Sequence, residues 1–179
     1  ALDVCARKLG GDHPLMGEIY DNMGARYTKQ KNYATALQCY KKALDIRVKA
    51  YKDEHLKIAE SYDNIGDAYK NLEKADDSMN YYSMGLVMRQ KILGEEHVLV
   101  AESHLKMGKL SVEFKTNQGL ISLKESQRIY EKCLGCENLM TLEVIRLIEN
   151  ITTNGRNPLA MTFQKLSPVV GSMEIDATC

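Results

Sequence analysis

At 179 residues the chain is long enough for one ordinary domain. Lysine plus arginine number 24, as do aspartate plus glutamate, so the formal charge is zero. That balance argues against a nucleic-acid or membrane-surface binder, which needs a basic excess. No run approaches the roughly 18 apolar residues of a membrane span, and five cysteines in a chain able to build a core favour a reduced, cytoplasmic setting.

The opening, Ala1-Leu2-Asp3-Val4, matches Ala43-Leu44-Asp45-Ile46 at a distance of 42 residues. Residues 1–11 therefore read as the second helix of a truncated preceding repeat, and the chain as a piece of a longer array. The same interval separates His13, His55 and His97, and again Gly24, Gly66 and Gly108. Between the first two copies it also joins Glu18 to Glu60, Tyr20 to Tyr62, Asp21 to Asp63, Asn22 to Asn64, Tyr27 to Tyr69, Tyr40 to Tyr82 and Arg47 to Arg89.

The first repeat, 12–53, reads as two helices. Pro14 suits a first helical turn, where its missing N–H has no intrahelical partner to lose. Met16, Tyr20, Met23 and Tyr27 follow at helical spacing, Asn32 marks a turn, and Tyr33 to Tyr51 carries Leu37, Tyr40, Leu44 and Val48 on one face. The second repeat, 54–95, repeats the pattern with Tyr62, Ile65, Tyr69 and Leu72, then Met79, Tyr82, Leu86 and Met88. The third, 96–137, keeps Glu102 and Gly108, puts His104 and Ser111 in place of two tyrosines, and is one residue shorter near Asn117 to Gly119. Residues 138–152 follow as a terminal capping helix, and 153–179, with Gly155, Pro158, Pro168 and Gly171 and no helical period, as a flexible tail. A mid-helix glycine costs about 1 kcal/mol against alanine, so its recurrence at one register predicts close approach of the paired helix.

The run Tyr20, Met23-Gly24, Tyr27, Ala36, Tyr40 and Ala43 resembles the tetratricopeptide signature. The long period, with joints at Leu9-Gly10-Gly11-Asp12-His13-Pro14 and Leu93-Gly94-Glu95-Glu96-His97, is similar to the kinesin light chain and nephrocystin subgroup. Where the kinesin light chain pattern has two asparagines in helix A, this chain has Asp21-Asn22 and Asp63-Asn64. The resemblance implies an all-α helical-hairpin solenoid, a right-handed superhelix whose first helices (A) line a concave groove. It implies protein or peptide partners and a cargo or complex adaptor of motor, cytoskeletal or ciliary assemblies. A sensor arm of a larger signalling ATPase or of an attached enzyme is the alternative.

The candidate partner-binding side chains lie on helix A, away from the tyrosine stripe. They are Glu18, Asp21, Asn22 and Lys29 in the first repeat, and Glu60, Asp63, Asn64, Asp67 and Asn71 in the second. The third offers Lys106, Lys109 and Glu113, with Leu105 at the register of the aspartates. Asn22 and Asn64 each offer a donor and an acceptor to a peptide backbone. No cofactor, metal site or catalytic constellation is expected. Cys133-Leu134-Gly135-Cys136 lacks the second pair a structural zinc needs, the periodic histidines read as connectors, and His104 as a core side chain.

Overall fold

The computed structural model describes residues 13–52, 54–115 and 119–153. They form seven helices with no strand among them: α1 (Pro14–Lys29), α2 (Tyr33–Tyr51), α3 (Leu56–Asn71), α4 (Ala75–Leu93), α5 (Val98–Glu113), α6 (Gly119–Leu134) and α7 (Leu139–Thr153). The expected helix at 1–11, and the expected tail beyond Thr153, lie outside the described residues. Three pairs pack most closely, α1 with α2, α3 with α4 and α5 with α6; α2 then packs on α3, α4 on α5 and α6 on α7. The result is an all-helical solenoid in which each pair covers the apolar face its neighbour cannot bury alone.

The ends of these helices follow from single residues. His13, His55 and His97 are N-caps, and each ring Nδ1 accepts the backbone N–H two residues on, at 3.3, 3.0 and 3.1 Å. Asn138 serves α7 in the same way through its side-chain oxygen, at 2.9 Å. Each cap occupies one of the N–H groups a helix start leaves unpaired. Inside each pair the chain reverses through a left-handed residue, Lys31, Glu73 and Lys115 in turn. The joints between pairs do so through Lys52, Gly94 and Gly135, with φ of 49°, 83° and 87°.

The repeating glycines are contact points. A Cβ at Gly24 would lie 2.5 Å from the Tyr40 ring, at Gly66 2.6 Å from Tyr82, and at Gly108 2.6 Å from Leu123. The side chain of the second helix therefore rests directly on the backbone of the first. Between pairs, Tyr40 and Ala36 of α2 meet Ile65 and Ala68 of α3, and Leu86 of α4 meets Val100, Ala101 and Leu105 of α5. Val48, expected on the buried face of α2, is exposed. The stripe that α2 buries runs through Ala36, Cys39, Tyr40, Ala43, Ile46 and Arg47, which turns Val48 outward. Helix α7 continues the first-helix register, with Glu149 at the place of the three glycines.

Candidate partner-binding wall

The first helices, α1, α3, α5 and α7, stand side by side and are tied to one another through their side chains. Asn64 Nδ2 donates to Asp21 Oδ1 at 3.5 Å, and Lys106 Nζ to Asp63 Oδ2 at 2.7 Å. Lys70 pairs with Glu113 at 3.3 Å and Lys109 with Glu143 at 2.7 Å. The first three links join positions 43 apart, one period plus one residue, so the stacking itself sets their register. Together they make one continuous polar wall, into which the twelve candidate side chains fall unequally.

Asp63, expected to point into the groove, is instead buried, with 4 % of its surface exposed. Its oxygens accept from Arg89 at 3.1 and 2.7 Å as well as from Lys106, and Arg89 goes on to Ser103 Oγ at 2.7 Å. Leu105, expected beside the groove, is buried as well. Two aligned cations offset the desolvation of a carboxylate that no ligand could reach without breaking them. Gly85, where the first repeat has Ala43, leaves the room: a Cβ there would lie 2.9 Å from Asp63 Oδ1. Asp21 takes the equivalent role against Arg47, which also donates to Ser61 Oγ at 2.6 Å. Burial pushes the Asp21 carboxyl above its ordinary range, against the pull of Arg47 and Asn64. The unit is thus an Arg from a second helix, clamped between an Asp of its own pair and a Ser of the next. Sequence reasoning missed it, although Asp21/Asp63, Arg47/Arg89 and Ser61/Ser103 all recur at 42 residues.

Other candidates are partly engaged. Asp67 accepts from the Tyr82 hydroxyl at 2.5 Å, burial together with the Asp67 charge pushes the Tyr82 phenol up, and Asn71 donates to the Asp67 carbonyl at 2.8 Å. Asn64 is half-buried beside Asp21. Glu18, Asn22, Lys29, Glu60, Lys109 and Glu113 are exposed, and Lys106 half-exposed. Among these, Glu60 pairs with Lys57 of its own helix, an exposed pair at 2.9 Å and a weak restraint.

The third repeat handles the same space differently. Tyr130 stands where Arg89 stands one repeat earlier and Leu105 where Asp63 stands, so the buried ion pair gives way to apolar contact. Three buried polar atoms there have no hydrogen-bond partner among the described residues: His104 Nδ1, Ser111 Oγ and the Tyr130 hydroxyl. Burial, with Glu102 and Glu143 adding to it, pushes the Tyr130 phenol up to about 12.

Among the described residues no three His, Cys, Asp or Glu side chains gather as a metal would need, and Cys133 and Cys136 are exposed free thiols. No described helix is long and apolar enough to cross a membrane. The tetratricopeptide repeat family model matches residues 1–49 and 22–91, half of the chain. The chain belongs to the tetratricopeptide repeat family. Its fold is that of several solved tetratricopeptide structures. BtubC (BKLC) from P. vanneervenii is 18% identical, with 92% of this chain and 72% of that one covered and a TM-score of 0.64. A Podosopora anserina putative kinesin light chain with nearly identical TPR-like repeats is 17% identical over 86% of this chain and 74% of that one, at 0.69. A singly substituted form of that same protein is likewise 17% identical, over 86% and 73%, at 0.69. No curated protein sequence matches. As a tetratricopeptide protein the chain is of an interaction-scaffold type.

Proposed function

We propose that this repeat protein holds an extended peptide segment of a partner against the wall of first helices, as a cargo or complex adaptor of the kinesin light chain kind. The observation that carries the reading is the wall itself. Four helices stand in one register with side-chain contacts between neighbours, and each presents polar groups at the same places without closing over them. A surface so restrained loses little entropy on binding, which favours affinity. The second helices, among the described residues, pack chiefly on first helices rather than on one another.

The test selects ligands from a displayed random peptide library and titrates the best of them calorimetrically. Losing a hydrogen-bonding side chain buried on binding costs about 1–3 kcal/mol. Asn22→Ala with Asn64→Ala should therefore weaken binding roughly tenfold, at about 1.4 kcal/mol per decade. Gln38→Ala with Asp45→Ala, both exposed on α2, should leave it unchanged. Equal affinity for the two double variants would move the binding site off the wall.

A further inference from the structure

One register of the wall carries the same side chain on all four first helices: Glu18, Glu60, Glu102 and Glu143. Glu18 is exposed and has no ion pair among the described residues. Glu60, Glu102 and Glu143 are about half exposed, and each meets one lysine, Lys57, Lys106 and Lys109 respectively. None of these lysines fully discharges the row. Lys106 lies 3.9 Å from Glu102 but 2.7 Å from Asp63, which holds it. The contacts of Lys57 and Lys109 are exposed and exchangeable. The fold therefore leaves a line of carboxylates running from helix to helix, each open on its solvent side.

A second observation points to the same line. Tyr130 is wholly buried, yet its hydroxyl has no hydrogen-bond partner among the described residues. After burial, the charges of Glu102 and Glu143 are what raise its phenol, so the last two carboxylates of the row act on this ring. A buried donor without an acceptor is costly in a finished structure, and here it marks a place where an acceptor is missing.

Resting on the reading of the wall as the binding face, we infer that the partner segment is basic and extended, with a lysine or arginine at every third position. Helices that stand side by side and meet only through side chains lie about 10–12 Å apart, the diameter of a helix, and three residues of extended chain span about 10 Å. Successive cations at that spacing reach successive glutamates, and the buried Tyr130 hydroxyl gains an acceptor where a glutamate of the row turns in beside it. The chain is neutral overall, so the attraction is local to this row and weakens with salt.

The test measures fluorescence anisotropy of labelled peptides with the full chain. The probes are a twelve-residue peptide with lysine at every third position in a serine background, a peptide of the same composition with its four lysines in one block, and the glutamate counterpart of the first. The spaced basic peptide should bind at least fivefold more tightly than the block and at least tenfold more tightly than the acidic one. Glu18→Gln, Glu60→Gln and Glu102→Gln together should weaken it at least tenfold, while Glu73→Gln with Glu95→Gln, exposed but off the row, should not. Tyr130→Phe should weaken it about threefold without lowering stability, since that hydroxyl has no partner to lose. Tighter binding of the acidic peptide, equal binding of spaced and block peptides, or no binding of any probe overturns the inference. If a library-selected ligand that is not basic is lost with Asn22→Ala and Asn64→Ala, the wall remains the binding face and only the basic partner falls. If binding ignores every wall variant, both fall.

Discussion

The arginine clamp gives the sharpest test of how the repeats are joined. Arg89 is buried and makes three hydrogen bonds, two to Asp63 and one to Ser103 of the following repeat. Arg89→Met keeps the apolar stem but strips Asp63 of its bidentate partner and leaves Ser103 without its donor. Removing one member of a buried ion pair costs about 3–5 kcal/mol. Lys106 stays 2.7 Å from Asp63, so the lower end, about 3 kcal/mol, applies. Against a typical total of about 5–15 kcal/mol this is a large fraction, and at about 2–4 °C per kcal/mol it lowers Tm by roughly 6–12 °C. Asp63→Leu, which copies Leu105 of the third repeat, strands Arg89 instead and should cost a similar amount. The two changes together remove both charges and should cost at least 1 kcal/mol less than their sum. Urea unfolding followed by far-ultraviolet circular dichroism supplies all three values. A cost below 1 kcal/mol for Arg89→Met, or strict additivity in the double variant, would mean that the clamp does not hold the repeats together.

Two other outcomes follow from single positions. Lys52 turns the first joint with φ of 49°, where the later joints use Gly94 and Gly135; Lys52→Gly should therefore stabilise by about 0.5–1 kcal/mol, the left-handed strain relieved minus the entropy glycine adds to the unfolded chain, and a lower Tm would contradict this. Burial lowers the His104 pKa, with Glu125 opposing and Arg128 assisting, so below about pH 6.5 the unfolded chain takes up a proton that the folded one resists. Stability should then fall between pH 7 and 5.5, and His104→Tyr, which restores the residue of the first two repeats, should flatten that part of the curve in urea titrations; an identical slope in both proteins would dismiss the role of His104.

Much of the fold was legible because helical packing writes itself as period. Apolar residues at helical spacing gave the pairs, and glycine recurring mid-helix gave the close approach now seen at Tyr40, Tyr82 and Leu123. The wall was only half legible. Glu18, Asp21 and Asn22 all lie on the side of α1 away from the tyrosines, and periodicity tells apolar from polar faces but not solvent from a neighbouring repeat. Asp21 and Asp63 face that neighbour, and what reveals it is a cation on the other helix recurring with them, Arg47 and Arg89. Tyr130 was beyond reach, because its place is that of an arginine and its neighbours are known only once the helices are stacked.

The third repeat shows why the two kinds of recurrence mean different things. Asp63, Arg89 and Ser103 are replaced there as a set, by Leu105, Tyr130 and Val144, all buried. Asp63 and Arg89 must change together, since either one left alone would bury an uncompensated charge. Recurrence of such a set is explained by packing and implies nothing about ligands. The glutamates behave otherwise. Glu102 and Glu143 remain while the clamp beneath them is exchanged for apolar contact, and the lysines near them sit at different positions in each repeat. No shared internal partner requires a carboxylate at that register, and it is half exposed wherever it occurs in an ion pair. On the proposed reading, a side chain kept at one register while its surroundings are rebuilt faces outward to a partner.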